Sequence, residues 1–384
     1  MRLQGIFLCL VLAGSLNSCD RTSVGQIGEI TSIDLSEIVP DTSYWDISQA
    51  FEDLSLIKLG DESSIVLGNI HGVSHFTSGF IVNVERGSFL FDTSGVYKRD
   101  YIKYGRGPEE FLNGIVLCFL KDTAGVIEDL HKSRDFYYTV NIENSAIGRI
   151  KKASSGRISS LIPLSDTTLA ALTDDMLVGR GMELNFSLVQ QKIDGELISN
   201  CNLGSDMGNF LGPGTILNSG VGIVVSLPSG KYFFGVNSDN LIDTIWETRG
   251  LNWPPSPISP GAYDQLAPGH IDQEKLLIFK RKVVVGHMVT KFTDWELLLI
   301  NKKTGAVTVL KPYLLDELMQ LNISKGDFTS DGYFCKVLYP KFLMQITTLP
   351  GGVNFLNSMN KSSRAGLEKL SLEDNPYLLY GRLK

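Results

Sequence analysis

From Phe51 onward the chain is written in short apolar and β-branched runs separated by turn-forming residues. The runs include Leu54–Leu59, Gly79–Val84, Ser88–Phe91, Gly222–Leu227, Lys231–Phe234 and Trp295–Ile300. Between them stand Asp92–Gly95, Asp122–Gly125, Asp194-Gly195, Pro228–Gly230 and Lys303–Gly305. A glycine closing such a turn takes the positive φ that other residues resist, so each group marks a hairpin. Strands do not alternate with helical stretches, which argues against a parallel α/β sheet. Strand–turn–strand units recur at Phe89–Tyr101, Phe186–Leu203 and Glu296–Leu310. Irregular units of roughly 45–60 residues over residues 49–384 give six blades, or seven, of a β-propeller. The expected fold is therefore all-β, with antiparallel four-stranded blades. A pair of β-sandwiches is the competing arrangement.

Three stretches interrupt this pattern. Tyr313–Leu321 and Ser362–Leu372 carry apolar residues at helical spacing and are expected to cover a propeller face or fill a loop. Trp253–Pro257, with Pro260, is expected to be an extended link between blades, with an exposed recognition segment as the alternative.

The first residues say where such a body would work. Arg2, the apolar run Ile6–Leu16 and the small residues before Cys19 have the order of a secretory signal peptide over residues 1–18. The apolar run is too short for a spanning helix, which needs ~20 residues. Leu16-Asn17-Ser18-Cys19 looks like a bacterial lipobox, with Asn17 as a departure from the usual small residue. Cys19 would then be lipidated, and its acyl chains would hold the protein at a membrane surface. Residues 19–48 are mostly polar, broken by Gly25, Gly28 and Pro40, and read as a flexible tether. Asp20 and Arg21 are not followed by an acidic run, so a periplasm-facing place in the cell envelope is favoured over the cell surface.

Past the signal, 34 Lys and Arg stand against 42 Asp and Glu, and no basic cluster points to a nucleic-acid partner. Lys280-Arg281-Lys282 adjoins three valines and is expected to be the solvated edge of a strand. Cys118, Cys201 and Cys335 are odd in number and form no Cys-x-x-Cys pair, so neither a disulfide framework nor a zinc site is expected. One disulfide among them is compatible with an oxidising compartment; buried apolar thiols are the favoured reading.

Ile102-Lys-Tyr-Gly105-Arg106-Gly107-Pro108-Glu109-Glu110-Phe111, directly after Phe91-Asp92-Thr-Ser-Gly95, resembles the Gly-x-Gly-Pro-Gly-Glu-Tyr/Phe signature of the six-bladed, NHL-like β-propeller lipoproteins of the Bacteroidota. Glu109 stands where that family usually has glycine. Leu54–Leu59 with Ile65–Ile70, Asp243-Thr-Ile-Trp246 and the end, Glu373–Lys384, are similar to further landmarks of the same family. The resemblance spans nearly the whole mature chain and implies six blades.

The glycines and proline of Gly105–Pro108 force a sharp strand exit. Glu109 and Glu110 are expected to accept hydrogen bonds from backbone amides or to pair with Arg106, while Phe111 anchors the loop in the next blade. The loop Gly105, Arg106, Gly107, Pro108, Glu109, Glu110 is thus read as structural before ligand-binding, and Gly107→Val is expected to strain the backbone. The alternative places it at the mouth of the central channel. Leu54–Leu59 and Tyr377–Leu383 are the candidates for closing the ring, with Pro376 at the entry to the last strand.

A search for chemistry yields no catalytic residue, metal site or cofactor motif: no nucleophile elbow, phosphate loop or His-Glu-x-x-His. His71 and His75 fall in loop or strand, and His131, His270 and His287 are scattered. Asp174-Asp175, being neighbours, point to opposite faces of a strand, and Asp327–Gly332 lacks the alternating ligands of a calcium loop. The expected function is a non-catalytic binding or scaffold module with a monomeric body, taking a glycan, a peptide or an envelope protein. The alternative is a hydrolase or lyase with its site at the channel mouth, which convergent carboxylates or histidines would mark.

Overall fold

The computed structural model describes residues 32–383 apart from 37–38, 61–64, 113, 130, 177–183, 207–213, 219–222, 237–241, 253–260, 272–274, 286–289, 315–318, 322, 324–326, 329–332 and 360–369. The signal peptide and Cys19 lie outside the described residues, as do Trp253–Pro260 and most of the 362–372 stretch.

Three strands open the described chain: β1 (Ser32–Asp34), β2 (Val39–Asp46) and, after the short helix α1 (Ile47–Ala50), β3 (Phe51–Lys58). Three sequential meanders follow. Blade I is β4 (Ile70–Phe76), β5 (Gly79–Val84), β6 (Gly87–Asp92) and β7 (Tyr97–Lys103). Blade II is β8 (Ile115–Leu120), β9 (Ala124–Glu128), β10 (Phe136–Asn141) and β11 (Ile147–Lys151). Blade III is β12 (Arg157–Ser165), β13 (Thr168–Met176), β14 (Leu184–Lys192) and β15 (Leu197–Asp206).

Blade IV holds β16 (Thr215–Asn218), β17 (Ile223–Ser226), β18 (Tyr232–Val236) and β19 (Ile242–Arg249). In blade V come β20 (Gly261–Ile271), β21 (Lys275–Val285), the short β22 (Thr290–Phe292), β23 (Glu296–Asn301), β24 (Val307–Leu314) and β25 (Met319–Gln320). Blade VI has β26 (Tyr333–Leu338), the helices α2 (Pro340–Thr347) and α3 (Gly352–Met359), and β27 (Tyr377–Leu383). The six sheets make a six-bladed, all-β propeller, as expected.

The ring closes through the predicted pair. β27 lies between β26 and β3, antiparallel to both, from Tyr377 opposite Lys58 to Leu383 opposite Phe51. Phe328 extends this sheet with a bridge to Phe334 on the β26 side. The segment leading into β27 has a physical task here. The Asp374 carboxylate accepts from Lys58 Nζ at 3.0 Å, and the Pro376 carbonyl accepts from the Leu59 amide. Asn375 accepts from Leu67 N–H and donates to Ile65 O.

Each seam between blades is filled by its own apolar cluster. At the closing seam, Ile57, Leu378 and Cys335 of blade VI meet Phe80, Val82 and Phe91 of blade I. Burying about six such side chains stabilises the closed ring by roughly 10–15 kcal/mol in gross transfer terms. Gly95 sits at this seam with φ +84°, and a Cβ there would lie 2.0 Å from Lys58 O, so both conformation and space demand glycine.

Several expectations need correction. Within 19–48, the part read as tether includes β1, which adds in parallel to β19, and β2, which adds in parallel to β24. Their side chains give little local signal, because the order comes from backbone pairing with strands about 200 residues away or more. Tyr313–Leu321 is no helix among its described residues: β24 runs through Leu314, and Tyr313 and Leu314 pair with β25. The helices lie instead in the insert between β26 and β27, where Leu343, Ile346 and Leu356 pack into the blade V–VI cluster. Gly125 also does not take the positive φ of its hairpin, which falls on Lys121 and Asp122.

Lys280-Arg281-Lys282 is not at an edge, since β21 runs between β20 and β23. Arg281 stacks between Phe292 and Trp295, at 4.0 and 4.2 Å from the ring centres, and donates to Gln265 Oε1. Burial lowers its pKa from the usual value. None of Cys118, Cys201 and Cys335 forms a disulfide; Cys118 and Cys335 are buried and Cys201 is half-buried.

Candidate functional site

A concave recess lies on the propeller axis. The C-terminal parts of β4, β8 and β12, with Phe328 and Tyr333, enclose a recess of about 420 Å³. Side chains on these first strands alternate between the seams and the axis, so the wall is assembled two or three residues at a time. Phe76, Phe119, Phe328 and Tyr333 supply aromatic surface; Ser74, Thr77 and Ser160 supply neutral hydroxyls. Phe76 and Phe119 have ring centres 5.2 Å apart. Burial pushes the Cys118 thiol well above its ordinary pKa and keeps it protonated.

Two titratable side chains in the wall are committed to joining blades. His75 lies among Tyr333, Tyr380 and Phe80, with ring centres at 4.3, 5.0 and 5.6 Å. Its Nε2 is 2.9 Å from the Tyr380 hydroxyl, which ties blade I to blade VI. The Asp122 carboxylate accepts from Thr77 N–H at 3.0 Å and ties the blade II turn to blade I. Aromatic planes and hydroxyls in this arrangement suit noncovalent recognition.

The Gly105–Glu110 loop does not line this recess. It sits at the other end of blades I and II, on a lateral cleft of about 630 Å³ between β7 and β10–β11. Gly105 N–H donates to Phe111 O and Phe111 N–H donates to Lys103 O, which makes the loop a closed turn. Glu110 folds back and accepts from Gly107 N–H at 2.8 Å, one of the two roles expected for it. A Cβ on Gly105 would meet the Glu110 carboxylate at 1.9 Å. At Gly107 φ is not left-handed, so the constraint there is the Glu110 side chain at 3.1 Å rather than backbone strain.

Phe111 is buried in the blade I–II cluster, edge-on to Tyr138. Lys132 Nζ lies 4.4 Å above its ring and donates to Pro108 O. Beneath the loop, fully buried Asp129 accepts from Leu112 and His131 amides at 2.8 and 2.9 Å. Sequence reasoning missed Asp129, whose signal, an acidic residue after a strand, is too common to single out. Arg106, Pro108 and Glu109 are exposed on the loop's outer side. Along the cleft wall, burial and a hydrogen bond to Asp100 push the Tyr97 hydroxyl up to about 12.

The other carboxylates considered from sequence are apart. Buried Asp174 takes Arg157 and Ser159, whereas Asp175 is exposed. Asp327 is bound by Lys336 Nζ at 2.9 and 3.1 Å. Among the described residues no group of three or more His, Cys, Asp or Glu side chains comes together as a metal site.

No family model matches the chain, and no curated protein matches it. Among solved structures, apo AztD from Citrobacter koseri is similar at 14% identity and a TM-score of 0.32, covering 48% of this chain and 50% of AztD. The N-terminal domain of Nup159 is similar at 12% identity and a TM-score of 0.39, covering 80% of this chain and 76% of that one. Hsv2 from Kluyveromyces marxianus is similar at 12% identity and a TM-score of 0.34, covering 63% and 79%. The chain spans about half the length of AztD. At these values the likenesses carry no argument about function, and the fold rests on the six sheets themselves.

Proposed function

We propose that this chain is a lipid-anchored, non-catalytic binding propeller of the cell envelope, facing the periplasm, whose ligand is a glycan or peptide seated in the axial recess. The observation that carries the reading is the recess wall: aromatic planes and neutral hydroxyls, with His75 and Asp122 engaged in holding blades together. Such a surface binds by stacking and hydrogen bonding. The anchor rests on the lipobox-like Leu16–Cys19, and no described helix is long and apolar enough to cross a membrane.

A thermal-shift screen of residues 20–384 against envelope glycans and peptides tests the recess. A ligand at ~100 times its Kd adds ~2.7 kcal/mol, or a shift of roughly 5 °C for a body of this size. Phe119→Ala is expected to abolish that shift while leaving the unliganded protein folded. A hit that Phe119→Ala leaves intact places binding elsewhere, and silence across the panel points to a protein partner.

A further inference from the structure

The pairing of β1 shortens the leash on which the body would hang. A tether reaching to residue 48 would allow about 100 Å of extended chain, at ~3.3–3.6 Å per residue. Because Ser32 is fixed beside Glu247 on the outer edge of blade IV, only residues 20–31 separate Cys19 from the body. Their full reach is about 45 Å. Blade IV is the attachment point, and blade I is the opposite blade of the six.

Direction can be read as well. β4, β8 and β12 turn the same ends toward the axial recess, so the hairpins joining third and fourth strands lie at that end. β1 runs parallel to β19, the fourth strand of blade IV, so the chain reaches it from the same end. On the neighbouring blade III, the hairpin at that end presents Ile193, Leu197 and Ile198, exposed at 37, 49 and 44%. Three large apolar side chains within six residues of an outer turn are an unusual surface for a solvated hairpin.

We infer that the recess-end rim of blades III and IV faces the anchoring membrane, with Ile193, Leu197 and Ile198 seated at the lipid interface. This rests on the lipid anchor at Cys19 and adds an orientation to it. Apolar side chains on a rim gain from the interface only if the leash keeps them there, and a reach of about 45 Å does so. The loop at Gly105–Glu110, on the other end and near blade I, then faces away from the bilayer.

The test uses the full lipidated chain in phosphatidylethanolamine–phosphatidylglycerol vesicles, with Cys201→Ser and single spin labels at Asn200→Cys on blade III or Glu85→Cys on blade I. Nickel chelated to lipid headgroups is expected to relax the Asn200 label several-fold faster than the Glu85 label. Replacing Ile193, Leu197 and Ile198 together by Asn is expected to narrow that ratio without releasing the protein. Equal relaxation on floating protein overturns the orientation and leaves the anchor standing. Protein that fails to float, as Cys19→Ala should, removes the anchor and the orientation with it.

Discussion

Blades I–III and blades IV–VI solve the same edge problem by different means. Each of the first three is a local meander whose outer strand, β7, β11 or β15, has no further strand on it among the described residues. Outer strands at a sheet edge invite association, and these are guarded. β7 and β15 each carry two register shifts against their neighbours, and the short β11 carries Arg149 and Lys151. In the other half the outer strands are covered: β1 on β19, β2 on β24 and β3 on β27. One continuous segment, residues 32–58, thus clasps three consecutive blades. Half the ring is built from neighbours in sequence, the other half from partners as far apart as Phe51 and Leu383.

The comparison breaks most decisively at the closing sheet. Deleting residues 375–384 removes β27 and leaves β3 and β26 without their shared partner, so aggregated protein is expected on size-exclusion chromatography. A soluble monomer with a cooperative melt would count against the closure. Next in size is Leu56→Ala, on a fully buried β3 side chain, expected to cost about 2–5 kcal/mol in denaturant unfolding. A change under about 1 kcal/mol would mean β3 is not part of the cooperative core.

Asp129→Ala probes the self-contained half. It removes the acceptor of the part-buried Leu112 and His131 amides, and a loss of about 1–3 kcal/mol is expected. Hydrogen exchange should quicken at the blade I–II seam and not in blades IV and V. The smallest effect belongs to the outer turn of blade I. Asp92 is partly buried, which raises its pKa. Lys98, Ser94 and the Val96 amide more than offset this and hold the carboxyl at about 2, against an ordinary 3.8. A folded-state pKa below the unfolded one stabilises above about pH 4 and is lost as pH falls toward 2. Asp92→Asn should therefore lower stability at pH 7 by on the order of 1 kcal/mol, with wild type and variant converging near pH 2. A difference that persists at pH 2 would assign the effect to something other than the charge.

Much of this architecture was legible because hairpins are local. Four of the five turn glycines, Gly95, Gly195, Gly230 and Gly305, take the positive φ their spacing predicts. Leu54–Leu59 and Tyr377–Leu383 were legible as a closing pair because both are apolar runs at the chain's ends. β1 and β2 were not, since Ser-Ile-Asp and Val-Pro-Asp-Thr-Ser-Tyr-Trp-Asp carry no alternation that separates a covered edge strand from a tether. The recess was illegible for another reason: Phe76, Phe119, Ser160 and Tyr333 come from four blades and meet only when the ring closes. The loop motif was found but its partner was not, because Asp129 acts from beneath it, 17 residues from the Leu112 amide it holds.

Native-state hydrogen exchange on the intact body, residues 20–384, tests the clasp most directly. The account predicts that amides of β3 and β27, though at opposite ends of the chain, exchange together and as slowly as the central strands of blades I–III. Fast exchange in β3, with β27 protected, would show the N-terminal segment to be an appendage and would contradict a ring closed by it.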